Sequence, residues 1–396
     1  MNHTAANTFV EGDNLEVLTR LAPGSFDLIS IDPPYNTGNV FAYRDDFRGE
    51  RGAGLAGRHT AWLDFMAPRL VQGHRVLAET GAIFVSIDDH EVTHLRLLLD
   101  QIYGEENFLA QIVVNLNAKG RQLGTGFAIS HEYLLVYAKD RKRCVLDAST
   151  TTTVMETDFP LVAEDGRRYR RLPLRNTNKK FNPRSAPTLH FAIWGDPVAG
   201  RVAAGPFVDA LEIMPVFGDG SPAVWRWSAP RIAERAEDLE CRVVRGRDGE
   251  RVDVFQRDWR HRVGGRRKKM RTIWLAEEVG TTDTAVAELK ALLGHAGGGV
   301  FESPKPTGLL LRILETMPSS ARVLDYFAGS GTTGHAVALA NAADQGRRTC
   351  LSINAPEPTH ADSNAARLGY PCVSAVTRAR LKAVAEQVGG GFVEIS

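Results

Sequence analysis

The sequence is poor in cysteine and has no apolar run long enough to cross a membrane. Its four cysteines, Cys144, Cys241, Cys350 and Cys372, include no Cys-x-x-Cys pair, which argues against a structural zinc site and against a disulfide framework. No apolar run approaches the roughly 18 residues that span a bilayer, and the chain does not start with the basic and apolar segments of a secretory signal. We therefore predict a soluble, cytoplasmic protein without a metal site.

Net charge is also almost absent, but the charges are unevenly distributed. The formal net charge of the 396 residues is +1, whereas residues 140–275 hold 27 Lys and Arg against 18 Asp and Glu, a net of +9, which leaves −8 for the rest. Such a segment is expected of a region that meets phosphates, although a solvated basic surface has the same composition. The clusters that we predict to contact DNA are Arg167, Arg168, Arg266, Arg267, Lys268 and Lys269.

Residues 26–35 combine a predicted strand with a proline-rich turn. Phe26 to Ile31 is a short apolar run with β-branched members, typical of a buried parallel strand. The two prolines that follow cannot donate ladder hydrogen bonds, so the backbone leaves the sheet there. Open α/β sheets bind their ligands at this carboxyl end of the strands. The candidate catalytic residues are Asp32, Pro33, Pro34 and Tyr35.

The side chains of this turn suit an amino group attached to a flat ring. Asp32 and the Pro33 carbonyl could accept the two N–H hydrogens of the amine, while Tyr35 stacks on the ring face. The alternative is a plain turn in which Asp32 is solvated and Tyr35 belongs to the core.

Apolar runs and helical spacings alternate on both sides of a middle segment that lacks them. Before residue 140, strands are predicted at 9–11, 26–31, 82–87, 108–116 and 133–138, and helices at 14–21, 60–78 and 91–102. After residue 300, strands are predicted at 321–327 and 348–353, and helices at 307–316, 335–342 and 376–388. This alternation predicts an α/β fold with a mainly parallel sheet and a late hairpin. The predicted domains are 1–140, a basic insert at 141–299, and 300–396.

A glycine-rich turn near the far end of the chain predicts a nucleotide-type cofactor. Residues 329–334 read Gly-Ser-Gly-Thr-Thr-Gly, between a predicted strand and a helix of small residues. Glycines let the backbone approach a ligand, and the helix amino terminus offers free N–H groups. By itself this turn suits NAD, FAD or S-adenosylmethionine, and a purely structural turn is the alternative.

A nicotinamide-dependent oxidoreductase is therefore the competing function, and two features oppose it. A dinucleotide fold continues into several further strands, but only about 60 residues follow the turn. A dehydrogenase also has no use for Asp32-Pro33-Pro34-Tyr35. Methyl transfer to an exocyclic amine needs both motifs, and neighbouring strands would bring them to one crevice.

With both motifs in view, the chain resembles the β-group of amino-methylating DNA methyltransferases, above all the modification (Mod) subunits of type III restriction-modification systems. That group has the Asp-Pro-Pro-Tyr motif first, a target recognition insert next and the Phe-x-Gly-x-Gly motif last, as found here over essentially the whole chain. Three stretches carry the resemblance to Mod subunits: Asp32 to Asn39, His131 to Lys139, and Phe301 to Thr333, which contains Pro304-Lys305-Pro306.

The resemblance implies a Rossmann-like, S-adenosylmethionine-dependent methyltransferase fold of circularly permuted motif order, with an inserted target recognition domain. It implies methylation of the N6 amino group of adenine in double-stranded DNA, with cytosine N4 as the alternative, by a homodimer that could work with a restriction (Res) subunit. Asn354 stands where relatives often place an acid that holds the ribose, and Glu357 follows three residues later. The residues that the resemblance assigns to the cofactor are Asp13, Lys305, Asp325, Phe327, Gly329, Gly331, Thr332, Asn354 and Glu357. Asp13 could equally serve as a helix cap.

Overall fold

The computed structural model divides the chain into two compact units. The sheet unit comprises Met1–Thr150 and Lys269–Ser396, and the middle unit comprises Thr151–Lys268. Residues 7–38, 45–47, 55–117, 120, 126–151, 155–246, 249–261, 267–294 and 299–395 are described. The middle unit is narrower than the predicted insert 141–299, because residues 141–150 and 269–299 belong to the sheet unit.

The sheet unit is built on nine strands of one sheet. They are β1 (Asn7–Glu11), β2 (Phe26–Ile31), β3 (Leu77–Ile87), β4 (Phe108–Val114), β5 (Glu132–Ala138), β6 (Ile273–Trp274), β7 (Arg322–Asp325), β8 (Thr349–Asn354) and β9 (Phe392–Ile395). Their order across the sheet is β6-β4-β5-β3-β2-β7-β8-β1-β9. Only β5 runs antiparallel to its two neighbours, which confirms the predicted late hairpin. The sequence missed β6 and β9, which are short and lie at the two edges of the sheet.

The order of connections reverses between β2 and β7. These strands are parallel neighbours, with Leu28 opposite Val323 and Ile29 opposite Leu324. From β2 the chain continues to β3 on one side, and from β7 it continues to β8 on the other. Loops at the carboxyl ends of such a pair diverge and leave a crevice, the usual ligand site of open α/β sheets. The predicted meeting of the two motif strands is thus confirmed.

Helices cover both faces of the sheet. The α-helices of the sheet unit are α1 (Asn14–Arg20), α2 (Leu55–Val76), α3 (Val92–Tyr103), α4 (Ala276–Val279), α5 (Thr282–Leu293), α6 (Thr307–Leu314), α7 (Thr332–Asp344), α8 (Asn364–Arg367) and α9 (Val373–Gln387), and Glu105–Asn107 is a 3-10 turn. One hydrophobic core packs Leu18 of α1, Trp62 of α2 and Leu95 of α3 against the sheet. The other joins Leu310 of α6 and Val337 of α7 to its opposite face. This is the Rossmann-like layering that the alternation predicts.

The middle unit is mostly antiparallel β structure. Its four-stranded sheet has the order Leu239–Gly246, Gly249–Trp259, Arg168–Pro173, Leu161–Val162, and its three-stranded sheet has the order Arg201–Ala203, Ile193–Asp196, Leu211–Ile213. A helix spans Ala229–Glu234, and 3-10 turns span Glu156–Asp158, Pro187–Leu189 and Ala236–Asp238. Short strands also span Ser149–Thr151 and Arg267–Lys269, at the two sequence boundaries between the units. Trp225, Trp227 and Trp259 are buried.

None of the helices in the described ranges is long and apolar enough to cross a membrane.

Candidate active site

The proline turn places its carboxylate at the open end of β2. The strand ends at Ile31, and Asp32-Pro33-Pro34-Tyr35 leaves the sheet without further ladder pairing. Trp62 of α2 donates its indole N–H to the Pro34 carbonyl at 2.7 Å, so this carbonyl is engaged and the turn is held on the helix. The side chain of Asp32 remains about one third exposed. The hydrogen bond from Trp62 therefore holds the backbone of the turn, while the Asp32 carboxylate stays accessible.

Four polar side chains meet at this turn and form the catalytic cluster: Asp32, Tyr35, Glu132 and Lys305. The Tyr35 hydroxyl lies 2.7 Å from Asp32 Oδ1 and 3.0 Å from Glu132 Oε2. Lys305 Nζ donates to Glu132 Oε2 at 2.8 Å and lies 3.3 Å from Asp32 Oδ1. The same ammonium lies 4.9 Å from the centre of the Tyr35 ring. One cation thus joins two carboxylates and an aromatic ring.

The charges of this cluster act on one another. Burial raises the pKa of Asp32, the Lys305 ammonium opposes this rise, and Glu132 adds to it. Burial lowers the pKa of Lys305, but the Asp32 and Glu132 carboxylates outweigh burial, so that its pKa is raised and the amine stays charged. Burial, then Asp32 and Glu132, raise the pKa of Tyr35 well above its usual value. Lys305 is therefore the group that most strongly favours the ionised form of Asp32.

A buried polar network supports the turn from behind. Asn36 follows Tyr35 with a left-handed φ of 62°, a conformation that Asn tolerates better than most residues. Its amide donates to Glu91 Oε1 at 2.5 Å, and the Glu91 carboxylate also lies 2.7 Å from His59 Nδ1 and 2.9 Å from His94 Nδ1. Ligands of one tetrahedral zinc ion lie about 3.3 Å apart, given bonds near 2.0 Å. The shorter His59–Glu91 distance suits an imidazole-to-carboxylate hydrogen bond, whereas His94 Nδ1 and Glu91 Oε2 lie close without forming one. The buried Glu91 carboxylate positions Asn36.

A pocket beside the catalytic cluster contains most of the residues predicted to bind the cofactor. Its lining includes Asp32 and Pro34 from the proline turn, and from the predicted cofactor set Asp13, Lys305, Asp325, Phe327, Gly329, Thr332, Asn354 and Glu357. Pro33, Tyr35 and Gly331 do not line it. Gly331 instead caps α7, with a φ of 82° that favours glycine, and its N–H donates to the Ala328 carbonyl at 2.7 Å. Gly331 therefore shapes the backbone of the loop and does not line the pocket.

Asp325, at the end of β7, shapes the glycine turn. Its carboxylate accepts from the Thr333 hydroxyl at 2.6 Å and from the Phe327 N–H at 3.1 Å. Burial raises the pKa of Asp325 to about 7, against the lowering effect of these two hydrogen bonds. Phe327 lines the pocket, and its ring centre lies 6.2 Å from that of Phe65. The turn thus presents a fixed backbone beside an aromatic wall.

Asp13 caps a helix and also lines the pocket. Its Oδ1 caps α1 by accepting from the Leu15 N–H at 2.8 Å and the Glu16 N–H at 3.3 Å, and the residue also lines the pocket. Arg69 of α2 donates to Asp13 Oδ2 at 3.1 Å and to Asn14 Oδ1 at 2.6 Å. The cap therefore fixes a carboxylate at the rim of the pocket.

The two candidates for the ribose position have different surroundings. Asn354, the last residue of β8, donates its amide to the Gly329 carbonyl at 3.1 Å and to Thr377 Oγ1 at 2.9 Å. Its two N–H hydrogens therefore support the glycine turn. Glu357 lies three residues later and lines the same pocket with a carboxylate side chain, the group that can accept from both hydroxyls of a ribose.

Sequence reasoning missed Glu132 of the cluster, Arg69 of the pocket lining and Arg380, which donates to Ser330 and Thr332 of the glycine turn. Glu132 begins β5, and because β5 is antiparallel to β3 its first residue lies at the carboxyl ends of the parallel strands. The signal was present, because Glu132 immediately precedes the predicted strand 133–138 and lies within the stretch His131 to Lys139 that the resemblance singled out. Arg69 and Arg380 lie within amphipathic helices, where an arginine ordinarily indicates the solvent face.

The predicted DNA contacts differ in their surroundings. Arg167 lies 2.6 Å from Asp165 and stacks 3.9 Å from the Trp259 ring centre, and Arg168 lies 2.6 Å from Glu156. Arg267, Lys268 and Lys269 are exposed. Arg266 lies outside the described residues. The Arg167 and Arg168 charges are thus partly compensated within the middle unit.

Sequence comparisons show that this chain is similar to DNA-modifying enzymes. The sequence pattern of the DNA methylase family matches residues 26–343. The Mod subunit of the EcoPI type III restriction-modification enzyme of Escherichia phage P1 is 34% identical over 97% of this chain, and the chain spans 62% of its length. The type II methyltransferase M.KpnI of Klebsiella pneumoniae is 31% identical over 98% of this chain and 89% of its own length.

Among solved structures, the cytosine-N4-specific PvuII DNA methyltransferase is similar, with a TM-score of 0.45 and 11% identity, over 99% of this chain and 98% of the other. The M1.HpyAVI–SAM complex has a TM-score of 0.40 and 10% identity, over 95% of this chain and 98% of the other.

Proposed function

We propose, on the premise that this chain belongs to the DNA methylase family, that it transfers the methyl group of S-adenosylmethionine to the N6 amino group of adenine in double-stranded DNA. One observation carries the proposal. The carboxylate of Asp32 and the glycine turn of Phe327 to Gly331 open on one pocket at the ends of neighbouring strands. Family membership leaves no support for the nicotinamide alternative. The chain spans 62% of the EcoPI Mod subunit. The activity is therefore a proposal for this chain and is not carried over from that longer protein.

The chemistry assigned to the cluster is activation of a weak nucleophile. The lone pair of an aromatic amine is delocalised into its ring, so the nitrogen attacks poorly. Asp32 and the Pro33 carbonyl would accept the two N–H hydrogens and favour sp³ geometry, which directs the lone pair at the sulfonium methyl carbon. As the N–C bond forms, the C–S bond of bound S-adenosylmethionine would break with its electrons remaining on sulfur, and Asp32 or solvent would take one amine proton. No covalent enzyme–base intermediate is required.

The target base must leave the duplex to reach this site. Extrusion costs a few kcal/mol, and stacking on an aromatic ring returns about 1–3 kcal/mol per base. Tyr35 is assigned this stacking role, since it adjoins Asp32 and its ring already lies against the Lys305 ammonium. Lys305 is assigned to the cluster as well as to the cofactor, because it lines the pocket while its Nζ contacts Asp32 and Glu132.

S-adenosylmethionine would lie along the pocket from the glycine turn to Asp13. Phe327 and Gly329 would contact its methionine part, Asp13 would face the adenine, and Glu357 would hold the ribose. Asn354 would act by supporting the Gly329 carbonyl, since its amide donates to that carbonyl at 3.1 Å.

The base specificity is tested by identifying the methylated nucleoside. DNA incubated with the protein and labelled S-adenosylmethionine is digested to nucleosides and analysed by mass spectrometry. We expect N6-methyldeoxyadenosine. The appearance of N4-methyldeoxycytidine instead would establish the cytosine alternative. DNA binding without any methyl incorporation would identify a non-catalytic DNA-binding module. Single-molecule sequencing of DNA from expressing cells would then report the recognition sequence.

We further propose that the middle unit recognises the DNA target, that the chain acts as a homodimer, and that its partner is a restriction subunit. The basic composition of residues 140–275 supports the first assignment. The names of the Mod relatives suggest the third. Size-exclusion chromatography with light scattering tests the second.

Replacing Arg266, Arg267, Lys268 and Lys269 together by alanine is expected to weaken binding to all duplexes. Each phosphate contact contributes roughly 0.9 to the slope of log K against log salt, so the slope should flatten. The measurement is a salt titration by fluorescence anisotropy. The control for comparison is Arg167→Ala with Arg168→Ala. These two side chains are also predicted DNA contacts, but they are ion-paired with Asp165 and Glu156 and should flatten the slope less. A wild-type slope for the quadruple variant, with a changed slope for the control, would reverse the assignment.

A further inference from the structure

A fully buried arginine lies directly behind the glycine turn. Arg380 belongs to α9 and has no exposed surface. Its Nη1 donates to Ser330 Oγ at 3.0 Å and to Thr332 Oγ1 at 2.8 Å, and its Nη2 lies 3.2 Å from His335 Nδ1. All three partners belong to the glycine turn or to the first residues of α7. The guanidinium is thus packed against the loop that carries the predicted cofactor motif.

None of the described residues places a counter-ion beside the positive charge of Arg380. Within the described part of the chain, its hydrogen-bonding partners are two hydroxyls and an imidazole, and its Nε has no partner. Burial and the Arg380 charge lower the pKa of His335 to about 4, so the imidazole is neutral. Burial lowers the pKa of Arg380 itself to about 10, although the more distant Glu288 carboxylate opposes this. The group therefore remains charged at neutral pH, and a buried charge without an anion is costly.

The hydrogen bonds of Arg380 determine the direction in which the two hydroxyls can donate. A guanidinium has only donors, so Ser330 and Thr332 must accept from it with their oxygen atoms. Ser330 Oγ and Thr332 Oγ1 lie 3.2 Å apart, which lets one of them donate to the other. At least one O–H is therefore left to donate elsewhere, and both residues line the pocket. The same end of the pocket meets the amino terminus of α7, a 13-residue helix, where helix N–H groups favour an anion.

We propose that Arg380, acting through the Ser330 and Thr332 hydroxyls, makes this end of the pocket selective for the carboxylate of the cofactor's amino-acid part. The inference rests on the proposed function and deepens it. Arg380 is a positioning residue, because it reaches the ligand only through the two hydroxyls. The ligand carboxylate supplies the counter-charge that the protein does not place beside the guanidinium.

The test compares two ligands that differ only in the carboxylate: S-adenosylhomocysteine and its decarboxylated form. Isothermal titration calorimetry measures both dissociation constants for the wild type and for Arg380→Met. We expect the wild type to prefer the carboxylate by about tenfold or more, as a charge-assisted hydrogen bond provides. In Arg380→Met this ratio should fall toward one, mainly because S-adenosylhomocysteine binds more weakly.

The matched control is Arg378→Met, on the same helix but in exposed contact with Glu11 and Glu394; its ligand ratio should equal that of the wild type. Ser330→Ala with Thr332→Val tests the relay separately, leaves Arg380 in place and should also collapse the ratio. It therefore decides the question even if circular dichroism shows Arg380→Met to be unfolded. An equal loss of affinity for both ligands would overturn the inference and make Arg380 merely structural. No binding of S-adenosylhomocysteine to the wild type would overturn the proposed function, and the inference with it.

Discussion

Asp32→Ala is expected to lower the rate of methyl transfer by about a hundred- to ten-thousandfold, the range that a positioned proton acceptor contributes. The Asp32 carboxylate is the acceptor at the end of β2, and the Pro33 carbonyl alone cannot accept both amine hydrogens. Affinity for S-adenosylmethionine should change little, because the glycine turn, Asp13 and Glu357 remain. Single-turnover methylation and calorimetric titration with the cofactor measure the two quantities separately.

The matched control for Asp32 is Asp88→Asn. Asp88 follows the neighbouring strand β3 and is also partly buried, but its carboxylate bonds to His90 and does not line the pocket. The rate of this variant should stay close to that of the wild type. Retained activity in Asp32→Ala would remove Asp32 from the mechanism. Loss of cofactor binding together with the rate would make its role one of pocket structure.

Lys305→Met is expected to move the acid limb of the rate profile to higher pH. Burial raises the pKa of Asp32, and Lys305 is the group that opposes this rise most strongly. Without the ammonium, Asp32 binds its proton at higher pH. A protonated carboxyl group can no longer take a proton from the amine, and it accepts the amine hydrogen bond more weakly. The rate should therefore fall far more near pH 6 than near pH 9, the measurement being single-turnover methylation over about pH 5–9.

Glu132→Gln supplies a test of opposite sign for the same cluster. The Glu132 carboxylate raises the pKa of Asp32, so its removal should move the acid limb to lower pH. Lys139→Met is the neutral control, since Lys139 lies just beyond β5 and donates to the His74 carbonyl. Identical acid limbs in the wild type and in Lys305→Met would show that Lys305 does not control the protonation of Asp32.

Much of the sheet unit could be predicted because its signals are local. The apolar run Phe26–Ile31 is a strand with the predicted bounds, and Asp32 to Tyr35 ends it because prolines cannot continue a ladder. The boundaries of the middle segment could not be read in the same way. Ile273–Trp274 is only two residues long and becomes a strand because it pairs with Val113 and Val114 of β4, a long-range contact without a local pattern.

The local backbone geometry of the two motifs was determined by the sequence itself, since two prolines end a strand and glycines permit the tight turn before a helix. What only the tertiary structure decided is which distant side chains act on them. Glu132 reaches Tyr35 because β5 runs against β3, and Lys305 reaches Asp32 across 273 positions of sequence. Arg380 reaches the glycine turn because α9 packs against α7. Strand direction and helix packing set these meetings, and both depend on long-range burial of apolar faces that no short stretch of sequence encodes.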